Sequence, residues 1–581
     1  MSRLLSPPLP SPSVAPVVQT PPARKTLSDA IIEGLRGIGL RHAFGVIGGA
    51  IVPFYDALSR APLNLVNCRH ESGAVFAAVE ASLAADAPAL AFTTTGPGLT
   101  NALTGAVTAR WEGAKLLLIS GYTESARRGR FALQESNDHA LAAGLYSSRG
   151  LFDYAVSLAT AAELPQVMRT LIRGFASPGG FIAHLAIPLS VQASDGPEQL
   201  PMTIPAVEVS ASAATMAEVR ERLRKPFAIW AGWGARHASP RLLELVERTG
   251  ARVIATPRGK GCFPEDHPRY LGVSGMVGGH EDLAERLAAA DVETMLVLGT
   301  RLGEFSSGFD DRLIPRGGMI HVDLDPRVPG AAFPHVETLL IQAEVDGFLR
   351  DLLARFEADP PAEPLPPPIP APRPLPRLLR PRPEDRVRPQ YLMQCLQSRV
   401  VDGSHSVLMA ESGNSFTWTT NLLRFNQPNR YRQSGLFCPM GHVSAGALGV
   451  AAASGRRAVA VVGDGAMLMQ NEVSTAARTG AHVTWIVLND ARYGMVDQGL
   501  SALGYPAADM LFPEVDFLAM ARSLGADGAR VYRETQLLEA LEWAMEARGP
   551  FILDVLIDPR ERAPFGGRVR SIDTQTQGVS Q

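Results

Sequence analysis

The chain has 581 residues, and its 46% hydrophobic and 19% charged residues form a globular balance that excludes disorder over the whole length. Its 55 Lys and Arg against 58 Asp and Glu leave a formal net charge of −3, which argues against a nucleic-acid partner. The four cysteines are far apart and form no Cys-x-x-Cys pair, so we expect no disulfide framework or zinc ribbon and predict a reducing, cytoplasmic location.

The amino-terminal part divides into a tail and a first α/β unit. Residues 1–25 are rich in Pro and Ser and lack the apolar stretch of a signal peptide, so we predict a disordered tail. Residues 26–195 then alternate between helical periodicity and short apolar runs, which predicts a parallel sheet with helices on both faces. The predicted helices are 28–40, 71–85 and 99–111, and the predicted strands are 43–47, 89–93 and 116–120.

A second α/β unit and a proline-rich segment follow. Residues 205–355 repeat the alternation of helices and strands. Residues 356–387 contain 12 prolines within positions 360–383. Proline lacks a backbone N–H and stiffens the chain, so this segment predicts a linker, and a spacer explains it better than a proline-rich ligand motif. The predicted strands of the second unit are 227–231, 295–299 and 319–323.

A third α/β unit covers residues 388–565, and the polar residues 566–581 predict a flexible tail. Three units describe the chain better than the roughly four domains that length alone suggests. The longest uncharged stretches, 87–109 and 435–455, are rich in Gly, Thr and Ser; they predict glycine-rich turns and no membrane partner. The predicted strands of the third unit are 406–410, 458–462, 483–488 and 551–557.

The strongest chemical signal follows the second predicted strand of the third unit. This strand runs into Gly463-Asp464-Gly465, and the next strand ends at Asn489-Asp490. The carboxyl ends of parallel strands share one sheet edge, so we expect Asp464 and Asp490 to lie close together. Two carboxylates with backbone carbonyls suit Mg²⁺, and the glycines let backbone N–H groups approach a diphosphate. A plain strand–helix turn with Asp464 as a helix cap is the alternative.

These residues resemble the signature of thiamine-diphosphate (ThDP) enzymes, in which GDG is followed one strand–helix–strand unit later by Asn-Asn or Asn-Asp. In the order and spacing of further motifs the chain is similar to the acetolactate-synthase-like branch of that family, over roughly residues 26–565. The matching segments are FGVIGGAIVPFYDAL (44–58), RHESGAVFAA (69–78), TTTGPGLTNALTGAVTA (93–109), RGKGCFPEDHP (258–268), LVLGTR (296–301) and HVDLDP (321–326).

The resemblance implies three doubly wound α/β domains. A ThDP pyrimidine-binding domain would cover residues 26–195, and a ThDP diphosphate-binding domain would cover residues 388–565. A Rossmann-like domain at 205–355 would lie between them in sequence.

The resemblance also assigns cofactor roles in the third domain. Asp464, Asp490 and the carbonyl oxygen of Arg492 would hold Mg²⁺. Family members usually have Asn at the second position, so Asp490 keeps an oxygen ligand but adds negative charge. Met440 matches the bulky apolar residue that wedges between the two cofactor rings, although a core methionine is the ordinary alternative. Further cofactor contacts would come from Asn414, Ser415, Gly463, Gly465, Ala466 and Met495.

Glu71 is the candidate catalytic residue. It follows Arg69-His70 and begins the predicted helix 71–85, where a carboxylate is also favourable for purely structural reasons. In the family, the matching glutamate exchanges a proton with the aminopyrimidine of a ThDP held by the other subunit, which implies a homodimer or homotetramer. An apolar cleft disfavours the ionised form of a carboxyl and so suits this exchange. Asn101 lies in a neighbouring matching segment and would contact the cofactor.

Three positions bear on substrate and on a second cofactor. Gln134 resembles the glutamine of an FQE segment that lines the active site, with Leu133 in place of the usual Phe; a solvated helical Gln is an equal alternative. Gly499 stands where acetolactate synthases place a Trp, which leaves room for a larger acceptor. FDDR (309–312) is displaced by an insertion from its place in the flavin-binding pattern, which disfavours FAD but leaves FAD, another nucleotide or no ligand open.

The implied activity is that of a ThDP- and Mg²⁺-dependent carboligase. It would decarboxylate a 2-keto acid and transfer the acyl carbanion to a carbonyl acceptor, as an acyloin or acetolactate-type synthase with non-standard substrates. A non-ligating 2-keto acid decarboxylase is one alternative, although His42 and His70 do not form the paired-histidine motif of the pyruvate-decarboxylase branch. A non-catalytic regulator is another, against which Glu71 and Asp464 argue. A flavin-linked oxidase is disfavoured by the displaced FDDR.

Overall fold

The fold contains three six-stranded sheets whose neighbouring strands are all parallel, which confirms the α/β prediction. The computed structural model describes residues 24–148, 150–198, 200, 207–277, 282–358, 379–469, 472–505 and 509–577. Nearly all of the predicted amino-terminal tail and most of the proline-rich segment lie outside these residues. Within the described ranges no helix is long and apolar enough to cross a bilayer.

The first sheet has the strand order β2-β1-β3-β4-β6-β5. Its central strands are buried along nearly their whole length and are mostly apolar, because helices cover both faces of a parallel sheet. The strands are β1 (His42–Gly45), β2 (Asn64–Asn67), β3 (Ala89–Thr93), β4 (Lys115–Tyr122), β5 (Tyr154–Ser157) and β6 (Phe181–Pro188). The helices are α1 (Leu27–Gly37), α2 (Val52–Arg60), α3 (Glu71–Ala85), α4 (Pro97–Glu112), α5 (Leu164–Ala176) and α6 (Leu189–Gln192).

The second sheet has the strand order β12-β11-β10-β7-β8-β9, which is the order of a Rossmann fold. The order reverses between β7 and β10, so a crevice opens at the carboxyl ends of these two strands. The strands are β7 (Phe227–Ala231), β8 (Arg252–Ala255), β9 (Tyr270–Val273), β10 (Thr294–Leu298), β11 (Met319–Asp323) and β12 (Thr338–Gln342). The helices are α7 (Ala213–Arg222), α8 (Ser239–Thr249), α9 (Leu283–Ala289), α10 (Glu304–Ser307) and α11 (Val345–Ala358).

The third sheet, β14-β13-β15-β16-β18-β17, has the same topology as the first. Its order reverses between β13 and β15, where a second crevice is expected. The strands are β13 (Val407–Ala410), β14 (Tyr431–Gln433), β15 (Ala458–Gly463), β16 (Val483–Asn489), β17 (Asp527–Val531) and β18 (Phe551–Leu556). The helices are α12 (Pro389–Leu396), α13 (Asn414–Leu422), α14 (His442–Ser454), α15 (Asp464–Met467), α16 (Val473–Thr479), α17 (Gly494–Ala502), α18 (Phe517–Ser523), α19 (Leu537–Glu546) and α20 (Gly566–Gln577).

Helices α3 and α14 join the first and third units face to face. A Cβ on Gly449 would overlap the Ala77 carbonyl oxygen, so only a glycine lets the two backbones approach this closely. A Cβ on Gly446 would similarly lie 2.8 Å from Cγ of Glu80. The prediction of glycine-rich turns over 435–455 is therefore wrong for most of that stretch, because its small residues serve helix packing and not chain reversal.

The carboxyl terminus also differs from the prediction. Residues Gly566–Gln577 form α20 where a loose polar tail was expected, and Ser571 and Gln575 of this helix donate hydrogen bonds to Glu304 of α10. The polar character of the segment therefore reflects contacts with the second unit and with solvent. The sequence does not predict this helix, because the segment has no periodic pattern of apolar residues.

Candidate active site

Asp464 and Asp490 stand at the carboxyl ends of the neighbouring strands β15 and β16. Asp464 is 2% exposed. One of its carboxylate oxygens accepts the Gly465 N–H at 2.7 Å, and the other accepts the N–H groups of Asp490 at 3.1 Å and Ala491 at 2.7 Å. Burial, and then the charge of Asp464, raise the pKa of Asp490 to about 7. Two carboxylates that oppose each other's ionisation in a buried site are suited to a cation.

The residues around this pair also fit a phosphorylated cofactor. Oδ1 of Asn414, the first residue of α13, is buried and has no hydrogen-bond partner among the described residues. A Cβ on Gly494 would lie 3.1 Å from Nδ2 of Asn414 and 3.2 Å from Oδ2 of Asp490, so this glycine keeps the crevice open. The Ser415 hydroxyl donates to the Glu411 carbonyl at 3.0 Å, which leaves its backbone N–H, at the start of α13, as the group suited to an anion.

The remaining candidate cofactor residues of the third unit surround the same edge. A Cβ on Gly465 would lie 3.5 Å from Cε of Met440 and 2.9 Å from the ring of Tyr493, so Met440 reaches the GDG turn. A Cβ on Gly463 would meet none of the described residues within 4 Å, so their packing does not require a glycine at this position. Ala466 is buried in α15, and Met495 of α17 packs in part against the domain core.

Glu71, Asn101 and Gln134 come together at the corresponding edge of the first sheet. Glu71 begins α3, as predicted, and its carboxylate accepts a hydrogen bond from Nδ2 of Asn101 at 3.0 Å. Gln134 lies in an exposed turn and not in a helix; its Cβ would be 2.9 Å from a Cβ on Gly96, just before α4. Glu71 and Asp464 therefore belong to two separate clusters of hydrogen bonds, which we call the two half-sites.

Strained backbone marks both half-sites. Gln134, Cys438 and Ala491 have φ of 53°, 55° and 56°, a region that residues with a side chain seldom adopt. Gln134 is itself a candidate site residue, Cys438 lies two residues before Met440, and Ala491 follows Asp490. Such strain persists where the surrounding structure holds a loop in a working geometry.

Glu472 is a site residue that the motifs did not indicate. Its buried carboxylate accepts the Arg69 N–H at 3.0 and 3.2 Å and the His70 N–H at 3.1 Å, immediately before Glu71. The two partners are 403 residues apart in sequence. Glu472 follows the GDG turn of the third unit. Its hydrogen bonds therefore connect the segment that carries Asp464 to the backbone just before Glu71. Nothing in the local sequence distinguishes it from an ordinary glutamate at a helix start.

A separate cavity of about 490 Å³ lies between the first and second units, at the crevice expected beside β7 and β10. Arg258, Arg301 and the half-buried Asp323 are among the residues that line it, and desolvation raises the pKa of Asp323. The FDDR residues are not among the described lining; Asp310 and Arg312 instead pair with each other at 2.7–2.8 Å. The displaced motif thus does not reach the cavity.

Within the described ranges no group of three or more His, Cys, Asp or Glu side chains is placed to hold a metal ion. The two carboxylates at the ends of β15 and β16 are a smaller set, which would need a backbone carbonyl and ligand oxygens to complete it. The carbonyl of Arg492 lies in the same loop, and its side chain pairs with Asp497 at 3.1 Å. All four cysteines are free thiols.

Three family descriptions match the chain in order. They are the N-terminal TPP binding domain of thiamine pyrophosphate enzymes over residues 25–141, the central domain over 215–352, and the C-terminal TPP binding domain over 411–555.

Acetolactate synthase large subunits are similar over nearly the whole chain. The probable large subunit of Methanocaldococcus jannaschii is 28% identical over 94% of this chain and 94% of its own. The isozyme 1 large subunit of Escherichia coli is 28% identical over 93% and 95%, and the putative large subunit IlvB2 of Mycobacterium tuberculosis is 28% identical over 93% and 99%. The chain therefore belongs to the thiamine-diphosphate-dependent enzymes, in their acetolactate-synthase-like branch.

Proposed function

We propose that the chain is a ThDP- and Mg²⁺-dependent carboligase that decarboxylates a 2-keto acid and joins the acyl unit to a carbonyl acceptor. The observation that carries this proposal is the carboxylate pair of the buried Asp464 and the half-buried Asp490, which lies beside Oδ1 of Asn414, an atom with no hydrogen-bond partner among the described residues. Glu71 lies in the other half-site. Bound ThDP would supply the nucleophilic carbon and the electron sink for decarboxylation.

The residues of the chain would bind and orient that cofactor. Asp464, Asp490 and the Arg492 carbonyl would hold Mg²⁺, and the start of α13 with the GDG turn would hold the diphosphate. Met440, which reaches Gly465, would set the cofactor's conformation. Glu71 would hold and exchange a proton with the aminopyrimidine ring, while Asn101 at 3.0 Å orients its carboxylate. Gln134 would line the substrate side.

We propose that the active site is completed by a second copy of the chain, in a homodimer or a homotetramer. Phe131 and Leu133, beside Gln134, are 99% and 93% exposed in the single chain. Beside the other half-site, Met469 and Tyr493 are 61% and 48% exposed. Large apolar side chains that rim both half-sites favour burial against another surface.

A complementation experiment tests whether the site crosses subunits. Glu71→Gln and Asp464→Asn should each be inactive alone. A heterodimer of the two variants would have one site with both native residues if the half-sites come from different chains, and activity of about half that of wild type per dimer is then expected. Formation of the heterodimer without any recovery of activity would contradict the proposal. Light scattering on the purified chain separates a dimer from a tetramer.

The donor and acceptor are the next question. Gly499 lies on α17, and a Cβ there would meet nothing within 4 Å, which supports a wider acceptor space than a Trp would leave. The purified protein should be incubated with ThDP, Mg²⁺ and 2-keto acids singly and in pairs, with products identified by mass. Cross-products support ligation, whereas aldehydes alone support the non-ligating decarboxylase. If the protein shows no turnover and binds no ThDP, the non-catalytic regulator is the hypothesis that remains.

The cavity between the first and second units is a candidate nucleotide site. Its volume of about 490 Å³ and its arginines suit a phosphorylated ligand, while the FDDR residues that turn away disfavour FAD. The absorption spectrum of the protein as purified, and the mass of any ligand released by denaturation, distinguish flavin from a colourless nucleotide. A cytoplasmic location stays a prediction, supported by the four free cysteines.

A further inference from the structure

A buried cluster of charges lies where α3, α4 and β14 meet the start of α14. Arg432 of β14 donates to both carboxylate oxygens of Glu80 on α3, at 2.7 and 3.0 Å. Nε2 of His442, the first residue of α14, lies 3.1 Å from the same carboxylate, and its Nδ1 lies 3.0 Å from the Ser434 hydroxyl. His442 is fully buried, with Phe76 packed on its ring.

The charges that face His442 come from every element around it. Glu80 belongs to α3, Glu112 to α4, Glu411 to the end of β13 and Arg432 to β14, and Arg258 reaches in from the second unit to pair with Glu112 at 2.9 Å. The formal charges of these three carboxylates and two guanidinium groups sum to −1. An imidazolium at position 442 makes the buried cluster neutral, and a neutral imidazole leaves one uncompensated charge.

Burial raises the pKa of Glu411, so a proton there would also balance the sum, but the donors around its carboxyl oppose that rise. One Glu411 oxygen accepts the Ser412 N–H at 2.9 Å, and the other accepts the N–H and the hydroxyl of Ser444 at 3.0 and 3.1 Å. Three donors on one carboxyl favour its ionised form. Burial alone would lower the pKa of His442, but the neighbouring Glu80 carboxylate raises it above its ordinary value.

The position of His442 connects this cluster to the active site. Met440 and Gly441 immediately precede it, so the backbone that presents Met440 to the GDG turn is anchored where His442 is anchored. Glu80 lies on α3, the helix whose first residue is Glu71. We infer that His442 is a positioning residue: as an imidazolium between Glu80 and Ser434, it fixes the entry of α14, and with it Met440, against α3 of the same chain. In the proposed dimer, Glu71 at the start of that α3 would serve the other of the two sites. The inference rests on the proposed cofactor role of Met440.

The first test needs no cofactor. His442→Gln keeps a hydrogen-bonding side chain of similar size but cannot be charged. In the wild type, a folded-state pKa above 6.5 contributes stability that is complete below pH 6.5 and is lost as pH rises through the folded pKa. The melting temperature of H442Q should therefore lie below that of wild type at pH 6, and the difference should shrink towards pH 9.

His184 provides the matched control. It is fully buried like His442, but it contacts the Ser120 hydroxyl and the Leu145 carbonyl, and burial lowers its pKa to about 4. The melting difference between wild type and His184→Gln should be constant from pH 7 to pH 9. A difference for H442Q that is equally constant over that range would overturn the inference.

The second test reads the positioning itself. ThDP with Mg²⁺ is titrated into both proteins while tryptophan fluorescence is followed. H442Q should bind ThDP about tenfold more weakly than wild type at pH 6.5 and approach wild type at pH 9. Equal affinity at pH 6.5 would overturn the positioning role. A wild type that binds no ThDP at any pH would instead refute the proposed function, and the unfolding comparison would still decide the charge state.

A measurement on the wild type covers the case in which H442Q does not fold. With ¹⁵N-labelled histidine, one buried imidazole should lose its proton at a pH above the ordinary value of 6.5. A titration in which no buried histidine loses its proton above that pH would overturn the inference.

Discussion

Replacing Asp490 by Asn should stabilise the cofactor-free protein above neutral pH. Burial and the nearby Asp464 raise the pKa of Asp490 from 3.8 to about 7. A carboxyl with a raised folded-state pKa binds its proton more tightly in the folded than in the unfolded chain, so its ionisation costs stability as pH rises from about 4 to about 7. Each pH unit of that difference corresponds to about 1.4 kcal/mol, which gives an upper value of about 4 kcal/mol at pH 8.

The assay is thermal or urea unfolding of both proteins in EDTA, at pH 5 and at pH 8. D490N should be more stable than wild type at pH 8, and the difference should be clearly smaller at pH 5. Mg²⁺ should then stabilise wild type more than D490N, because the cation removes a repulsion that the Asn variant lacks. Circular dichroism or tryptophan fluorescence follows the transition without requiring any catalytic activity.

Asp497→Asn is the matched control. Asp497 lies in the same loop, but it is about one-third exposed and paired with Arg492 at 3.1 Å. Its replacement should change stability by less than about 1 kcal/mol and should leave the Mg²⁺ effect intact. Equal stability of D490N and wild type at pH 8 in EDTA, or equal stabilisation of both by Mg²⁺, would refute the assignment of Asp464 and Asp490 as a carboxylate pair that awaits a cation.

Three further predictions concern catalysis, specificity and packing. Glu71→Gln should abolish turnover of 2-keto acids but leave ThDP affinity, measured by calorimetry, near that of wild type; near-normal turnover would contradict its role. Gly499→Trp should shift the preference between a large and a small acceptor by about 10- to 200-fold towards the small one in competition assays. Gly449→Leu should destabilise the chain by about 1–3 kcal/mol or more, since α3 and α14 must separate; an unchanged melting temperature would show that they do not pack as closely as described.

The fold was predictable where a strand buried on both faces is an uninterrupted apolar run; the interior strands β6, which contains His184, and β8, which begins with Arg252, were not predicted. Runs such as Ala89–Thr93 and Ala458–Gly463 are almost entirely apolar, because helices cover both sides of a parallel sheet. Edge strands were not predicted: β2, Asn-Leu-Val-Asn, is too short and too polar to carry a pattern. Helix α14 was also not predicted, although it is long and mostly apolar. It is buried all round and built from small residues, so it has neither the amphipathic period nor the bulky side chains that indicate a core helix.

The two half-sites followed from motifs because their chemistry is local. Asp464 and Asp490 stand at the ends of adjacent strands, so spacing and topology were enough to bring them to one sheet edge, whereas the family resemblance was needed to distinguish Glu71 from an ordinary glutamate at a helix start. Gln134 reached its edge through a strained turn that the sequence did not predict. The contact of Glu472 with the Arg69 and His70 backbone could not be predicted at all, because it depends on how two whole domains dock.

The docking of α3 on α14 gives one helix pair two functions. The small residues that let the backbones meet also leave space in which Glu80, Arg432 and His442 are buried together. A hydrophobic contact of the same area would hold the helices equally well, but it would tolerate sliding along the axis. Charged partners with fixed hydrogen-bond directions do not allow such sliding. They therefore hold the distance from Met440 to the start of α3. The buried charges are thus best explained by alignment of the active-site segments and not by added stability.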